Sequence, residues 1–264
     1  MTTGRMGRPA TVDPAPVGEP IVLPWDRFKP VFARNWRQGE HVAIVAPTGG
    51  GKSVVLFELA KIAAARTGKD RRPARVTVLG IKHKDEELTR LHNQGWPIIK
   101  SWPPAYGQEH CIVWPRGHTL SNASARQRAV FVPLLDVIHR EGGQTIVVDE
   151  EAHLEESPPE GLGMRGMMTP FWTGARSNHL SIFAATQRPR NVTRSMWSEP
   201  SWVFMLKPED DDDTYRIAEL TGNRRRDKRE AFLQIVDRLG PYEFLCVRRQ
   251  RGGGRGLYVS RVER

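Results

Sequence analysis

The chain has 264 residues, 39% of them hydrophobic and 8% aromatic, a composition that predicts a globular protein with a buried core. Its 40 lysines and arginines against 30 acidic residues leave a net charge of +10, which favours a polyanionic partner, nucleic acid before an anionic membrane, although such a charge can also serve solubility alone. The chain has only two cysteines, which is too few for a disulfide framework. It has no run near the ~18 apolar residues of a membrane span and no signal peptide, so we expect a cytoplasmic protein.

The patterning along the chain predicts an α/β fold with a mainly parallel sheet. Residues 1–24 hold five prolines among small residues and predict an extended arm, either a docking arm or a leader without function. The core, 25–222, alternates short apolar runs with helical patterns. Its predicted strands are 41–46, 75–81, 111–114, 145–149, 180–185 and 202–206, and its predicted helices are 53–66, 86–92, 123–140 and 212–220. Residues 94–110 predict an irregular insertion, and 223–264 a basic helix and a β-hairpin appendage.

A phosphate-binding motif lies between the first predicted strand and its helix. The spacing from Ala46 to Gly51, Lys52 and Ser53 is the P-loop pattern, with Ala where the first Gly often stands. Lys52 would reach the β- and γ-phosphates, and Ser53 would bind Mg²⁺ at the helix N-terminus. The residues expected to bind nucleotide are Thr48, Gly49, Gly50, Gly51, Lys52 and Ser53. A chance glycine-rich turn is the alternative, but strand, loop and helix fall where an ATP site requires them.

Acidic residues end the strand predicted at 145–149. A strand that carries Asp at its carboxyl end beside a P-loop can hold Mg²⁺ through that residue, and the following Glu can then polarise the attacking water. We therefore expect Asp149 to bind the metal and Glu150 to act as catalytic base. Glu151 is a second choice for the base, because neighbouring side chains of a strand point apart. The alternative is that these acids only cap the next helix.

The stretch LSIFAATQRPR ends another apolar strand in an amide and two guanidinium groups. Ligands of parallel sheets bind beyond the carboxyl ends of the strands. If this strand is the neighbour of the one ending at Asp149, the amide of Gln187 reaches the γ-phosphate or the attacking water. The alternative is a polar strand end followed by a turn at Pro189.

Taken in order, APTGGGKS, VVDEEAH and GARSNHLSIFAATQRP resemble the FtsK–HerA superfamily of P-loop motor ATPases over residues 41–222. The resemblance implies a RecA-like ASCE core, ATP and Mg²⁺ as cofactors, and phosphate, metal, water and sensor roles for Lys52, Ser53, Asp149, Glu150 and Gln187. It further implies a homo-oligomeric ring, a pentamer or hexamer, that acts on double-stranded DNA. The chain shows no membrane span, N-terminal barrel or long winged-helix module, and it is closer in size to compact viral packaging ATPases than to cell-division translocases.

Several basic residues remain as candidates for other roles. Ring ATPases place an arginine against the neighbouring subunit's γ-phosphate. Arg176 is the leading candidate for this finger, ahead of Arg188, Arg190 and Arg165. Lys82 and Lys84 follow a strand end and are candidates for DNA contact in a central pore, and the basic runs 224–229 and 248–251 could contact phosphates. Each could instead belong to a solvated basic face.

The expected function is a ring motor that packages viral double-stranded DNA in a prokaryotic or virus-infected cytoplasm, with a portal or membrane-pore protein as a further partner. A conjugation or extrusion ATPase that moves protein or single-stranded DNA, and an ATP-binding assembly scaffold, are the alternatives. A two-lobed helicase is disfavoured, because too little chain follows residue 222 for a second lobe. No zinc site is expected, since no histidine pair has ligand spacing with a carboxylate partner.

Overall fold

The computed structural model describes residues 19–66, 74–101, 109–116, 120–207, 218, 226–249 and 255–262. The strands are β1 (Ile21–Val22), β2 (Val42–Val45), β3 (Arg75–Leu79), β4 (Ile98–Ile99), β5 (His110–Val113), β6 (Gln144–Val148), β7 (Ser181–Thr186), β8 (Trp202–Leu206), β9 (Glu243–Arg249) and β10 (Arg255–Arg261). The helices are α1 (Trp25–Asn35), α2 (Lys52–Ala64), α3 (Glu86–Asn93), α4 (Leu120–Glu141), α5 (Glu151–Glu155), α6 (Arg165–Gly174), α7 (Ser195–Ser198) and α8 (Arg226–Asp237). A 3₁₀ turn, Ala175–Asn178, connects α6 to β7.

These strands form one sheet in the order β1-β10-β9-β8-β2-β7-β6-β3-β5-β4. The seven strands from β8 to β4 are parallel to their neighbours, whereas β9 runs antiparallel to β8 and β10 antiparallel to β9. The predicted α/β class, with a mainly parallel sheet and a C-terminal hairpin, is therefore confirmed. The central position of β2 and β7 brings the phosphate-loop strand and the strand before Gln187 side by side.

The central strands are buried on both faces, and successive residues belong to opposite cores. In β2, Val42 and Ile44 pack into one core, while Ala43 and Val45 pack into the other. One core joins the sheet to α1, α2 and α3, and the other joins it to α4, α6 and α8. This arrangement explains why the sequence shows continuous apolar runs instead of alternation: parallel strands covered on both sides have no solvated face.

Helix α1 covers the sheet with aromatic side chains, and the sequence patterns did not predict it. Phe28 and Phe32 are fully buried, and their rings lie 5.8 Å and 6.4 Å from that of Phe204. Phe32 also packs edge-on against Trp202 at 4.9 Å. Pro30 lies inside this helix, and an internal proline weakens a helix considered alone. Packing against β8 and β9 compensates, so tertiary contacts determine this element.

Some predicted segments differ from the structure. Ile98 and Ile99, inside the predicted irregular insertion, form the edge strand β4 and pair with β5. Ile21 and Val22, inside the predicted arm, form β1 and pair with β10. The predicted helix at 212–220 lies outside the described residues except for Ala218, and residues 1–18 lie outside them as well. The domain boundaries at 24 and 222 stay predictions.

Within the described part of the chain, the helices are too short or too polar to cross a membrane.

Candidate active site

The loop between β2 and α2 has the backbone conformation of a phosphate-binding loop. Gly49 and Gly51 have φ angles of 75° and 97°, in the left-handed region that favours glycine. Gly51 is the N-cap of α2, which begins at Lys52. The amides at this helix end point away from the helix and have no partner within its hydrogen-bond ladder, so they can bind an anion. The glycine-rich motif therefore forms a loop that presents backbone N–H groups at the carboxyl edge of the sheet.

Lys52 and Ser53 converge on Asp149, which follows β6 two strands away. Lys52 Nζ donates to the Asp149 carbonyl oxygen at 2.7 Å and to Asp149 Oδ1 at 2.8 Å, and Ser53 Oγ donates to the same Oδ1 at 2.8 Å. Both Lys52 and Asp149 are buried. Burial raises the pKa of Asp149, but the charges of Lys52 and Lys82 more than offset it, so the pKa lies below its usual value. Asp149 therefore stays ionised at neutral pH.

The predicted metal ligands have the chemistry that Mg²⁺ requires. Ser53 Oγ and Asp149 Oδ1 are oxygen donors within 2.8 Å of each other, at the mouth of the phosphate loop. Mg²⁺ binds through one or two such protein oxygens together with phosphate oxygens and water. These two residues would hold the ion, whose charge would neutralise phosphate oxygens.

Glu150 lies at the end of β6 and is held by the neighbouring strand β7. Thr186 Oγ1 donates to Glu150 Oε1 at 2.8 Å, and the Gln187 backbone N–H donates to the same oxygen at 3.3 Å. Burial raises the pKa of Glu150 above its usual value, because Lys52 and these two hydrogen bonds offset only part of the desolvation. A partly exposed carboxylate with a fixed orientation and a raised pKa is suited to accept a proton.

Gln187 connects the end of β7 to the phosphate loop. Its Oε1 accepts a hydrogen bond from Thr48 Oγ1 at 2.6 Å. Strand β7 pairs with both β2 and β6, so the neighbour relation that the sequence analysis required for Gln187 is present. A cleft of about 350 Å³ opens between this residue and helix α3. Its lining includes Thr48, Gly49, Gly51, Lys52, Ser53, Lys82 and Gln187.

Glu151, the second choice for the base, is turned into the protein. It is fully buried, and its Oε1 accepts a hydrogen bond from the Trp172 indole at 3.1 Å. Burial and the nearby Glu155 raise its pKa to about 8. Glu155 accepts hydrogen bonds from Arg165 Nε at 3.2 Å and from the Thr193 backbone N–H at 2.6 Å. Glu151 and Glu155 therefore lie in the interior behind Glu150 and are not among the residues that line the cleft.

The structure separates the other basic candidates. Lys84 is exposed outside the cleft, and Arg188 is exposed after β7. The Arg165 guanidinium donates to the Glu155 carboxylate and to the Asn191 carbonyl oxygen. The backbone of Arg176 lies in the 3₁₀ turn before β7, and its side chain is outside the described residues, as are 224–225 and 250–251 of the two basic runs. The DNA-contact and arginine-finger assignments stay predictions.

Two site residues were missed by the sequence analysis. Thr186 lies one residue beyond the predicted strand 180–185 and had no predicted role, yet its hydroxyl donates to Glu150. A hydroxyl at a strand end beside a functional residue is the signal that could have identified it. Lys82, predicted as a candidate for DNA contact, also belongs to the nucleotide site, because its Nζ lies 2.5 Å from Asp149 Oδ2. Nothing in the local sequence indicates this contact, because Lys82 and Asp149 are 67 positions apart and meet only because β3 pairs with β6.

Comparison with solved structures shows that ATPases of known structure share the fold of this chain. The chain is similar to the DNA-packaging ATPase B204 from Sulfolobus Turreted Icosahedral Virus, with a TM-score of 0.57 and 11% identity over 84% of this chain and 98% of that one. The chain has the fold of B204. It is equally similar to VirB4 of Thermoanaerobacter pseudethanolicus, with a TM-score of 0.57 and 11% identity over 85% and 89% of the two chains.

A third similar structure was solved with a nucleotide analogue. It is the genome packaging NTPase B204 from Sulfolobus turreted icosahedral virus 2 in complex with AMPPCP, with a TM-score of 0.54 and 13% identity over 83% of this chain and 96% of that one. No protein-family model and no curated protein matches the chain. The fold implied by the resemblance to the FtsK–HerA superfamily is thus confirmed. Sequence identities of 11% to 13% establish a shared fold but not a shared role.

Proposed function

We propose that this protein is an ATPase that assembles into a homo-oligomeric ring and translocates double-stranded DNA, with viral genome packaging as its role. The observation that carries the proposal is the meeting of Lys52, Asp149 and Glu150 with the glycine loop at one sheet edge. A protein that only binds nucleotide has no need of an oriented carboxylate beyond the metal ligand. The fold shared with B204 supports packaging among the possible roles.

The phosphate loop would hold the nucleotide by its phosphates. Backbone N–H groups at the start of α2 and the Lys52 ammonium would bind the β- and γ-phosphate oxygens. Ser53 and Asp149 would hold Mg²⁺. Lys52 would then exchange its bond to Asp149 Oδ1 for phosphate, which frees that oxygen.

Hydrolysis would proceed by attack of water on the γ-phosphorus. The new oxygen–phosphorus bond forms as the bond to the β,γ-bridging oxygen breaks, and ADP and phosphate are released. Glu150 accepts the proton of the water, while Thr186 and the Gln187 backbone keep the carboxylate in place. The Gln187 side chain would report whether a γ-phosphate is present, and its hydrogen bond to Thr48 of the phosphate loop supports this role.

Ring assembly would complete the site across a subunit interface. Arg176 is our candidate for the arginine donated to the neighbouring γ-phosphate, since it precedes β7 in the turn Ala175–Asn178. The net charge of +10 suits a track of phosphates, with Lys84 a candidate for DNA contact. A portal protein is the expected partner at the capsid, in a prokaryotic or virus-infected cytoplasm.

A second candidate function is a conjugation or secretion ATPase. The equal similarity to VirB4 favours it. Such a motor would move protein or single-stranded DNA and would depend on a membrane-pore partner. Polymer preference separates the two functions, because only the packaging motor should be stimulated by long duplex DNA.

The deciding experiment is the steady-state ATPase rate with and without long double-stranded DNA, at low and moderate salt. We expect stimulation by duplex that weakens as salt rises, because phosphate contacts release counterions. Glu150→Gln should bind ATP and lose turnover by about 10²- to 10⁴-fold. No turnover under any condition, with assembly unchanged by Glu150→Gln, would point to a scaffold. Stimulation by single strands alone would favour the conjugation motor.

A further inference from the structure

Lys82 lies in the nucleotide cleft between two carboxylates. Its Nζ is 2.5 Å from Asp149 Oδ2 and 3.7 Å from Asp85 Oδ2. Its side chain remains 42% exposed and lines the same cleft as Lys52. Burial lowers the pKa of Lys82, but the charges of Asp149, Asp85 and Glu150 raise it overall, so this ammonium stays protonated. Besides Lys52, two cations outside the phosphate-loop motif line the cleft, Lys82 and Arg90, and of these Arg90 is paired with Glu87 of α3.

Buried side chains fix the backbone that carries Lys82. The Trp114 indole donates to the Lys82 carbonyl oxygen at 2.7 Å, and the buried Gln127 amide donates to the carbonyl oxygen of Ile81. Gly80 lets the indole approach, because a Cβ at this position would lie 2.6 Å from Trp114 Cγ. Both hydrogen bonds are accepted by main-chain carbonyl groups, so they fix the point from which the Lys82 side chain enters the cleft. Its position is built into the fold.

The charges on Asp149 imply an exchange of partners. Its Oδ1 accepts from Lys52 and Ser53, and its Oδ2 accepts from Lys82. Two ammonium groups and a divalent cation within about 4 Å of one carboxylate would repel one another strongly. Lys52 has phosphate oxygens as its other partner. The four-carbon stem of Lys82 is flexible. The phosphate chain of a nucleotide would enter the same cleft, and its terminal phosphate would be the anion available to Lys82.

Resting on the proposed function, we propose that Lys82 is a binding residue selective for nucleoside triphosphate. It neutralises Asp149 in the conformation seen here and moves to the terminal phosphate when Asp149 takes up a divalent cation. Asp85 guides the ammonium in both positions, since it is itself held as the N-cap of α3 by the Leu88 backbone N–H at 3.0 Å. A diphosphate, which lacks the terminal group, would not reach Lys82.

The test compares Lys82→Met with the matched control Lys100→Met, an exposed lysine outside the cleft. Calorimetry with Mg²⁺ should show that Lys82→Met lowers the affinity for AMPPNP by about tenfold or more, which is the usual scale of a charge-assisted hydrogen bond. The affinity for ADP should change little. Without nucleotide, Mn²⁺ binding followed by electron paramagnetic resonance should become tighter, because Asp149 loses a competing cation. Lys100→Met should match wild type in both.

The outcomes separate this inference from the proposed function. If wild type binds neither nucleotide, the proposed function fails and the inference with it. If wild type binds and hydrolyses ATP while Lys82→Met leaves the AMPPNP-to-ADP affinity ratio or the Mn²⁺ affinity unchanged, the inference alone is overturned. Lys82→Arg keeps the charge and should retain the affinity ratio. It separates loss of charge from loss of folding, which circular dichroism melting checks in every variant.

Discussion

At the scale of single residues, the site depends on hydrogen bonds that cross between strands. Glu150 at the end of β6 is oriented by Thr186 of β7, and Gln187 beside it contacts Thr48 after β2. Three neighbouring strands are thereby linked by two side-chain hydrogen bonds at one sheet edge. Gln187 therefore connects the phosphate loop to the carboxylate, since its side chain contacts Thr48 and its backbone N–H contacts Glu150.

Replacing Thr186 by Val should reduce turnover without abolishing nucleotide binding. The substitution removes the donor to Glu150 at nearly constant volume, so we expect kcat to fall by about tenfold, the worth of one such hydrogen bond. Steady-state ATPase assays and ADP calorimetry measure the two effects. Thr186→Ser, which keeps the hydroxyl, is the matched control and should retain most of the rate. Equal rates for Val and wild type would show that Glu150 needs no such support.

At the scale of an element, the short helix α5 buries two acidic side chains behind the site. Glu151 and Glu155 are both buried, and Glu151 Oε2 and Glu155 Oε1 have no hydrogen-bond partner among the described residues. A proton held on Glu151 would remove the negative charge of that buried carboxyl beside Glu155 and turn one of its oxygens into a donor. The raised pKa of Glu151 fits this arrangement.

Glu151→Gln should stabilise the protein at alkaline pH. The pKa of Glu151 rises from 4.5 unfolded to about 8 folded, so between these values the folded state holds a proton that the unfolded state releases. The free energy of unfolding of wild type therefore falls as pH rises across this window. The glutamine variant lacks this loss and keeps the Trp172 hydrogen bond, so its advantage should be on the order of a few kcal/mol at pH 8 and vanish near pH 4.5.

Urea unfolding across that pH range measures the difference. Glu160→Gln, which makes the same change at an exposed position of the loop after α5, is the matched control. A variant less stable than wild type at pH 8 would mean that Glu151 is ionised in the folded protein, contrary to its burial.

At the scale of the whole molecule, the proposed ring predicts that one subunit completes the site of the next. Arg176→Ala should destroy hydrolysis while ATP binding survives. Mixed with Glu150→Gln, it should regain part of the rate, because a subunit with an intact Glu150 can then receive Arg176 from its neighbour. The ATPase rate against mixing ratio is the measurement. Adding the double variant Arg176→Ala/Glu150→Gln instead should restore nothing, and absence of rescue at every ratio would contradict a finger at this position.

The sequence alone determined the fold class and the main motifs, because these are local. The P-loop needs only a strand, glycines able to adopt positive φ, and a helix start, all adjacent along the chain. Continuous apolar runs were enough to predict strands covered on both faces. Asp149, Glu150 and Gln187 could be predicted because each ends such a run.

Only the tertiary structure decided which distant segments meet. Helix α1 forms around Pro30 because Phe28 and Phe32 find an aromatic surface on the sheet, and β1 and β4 exist because they have a strand to pair with. The placement of Lys82 against Asp149 likewise follows from β3 lying beside β6. Contacts between segments far apart in sequence leave no local pattern, since their free energy arises only when folding brings the partners together.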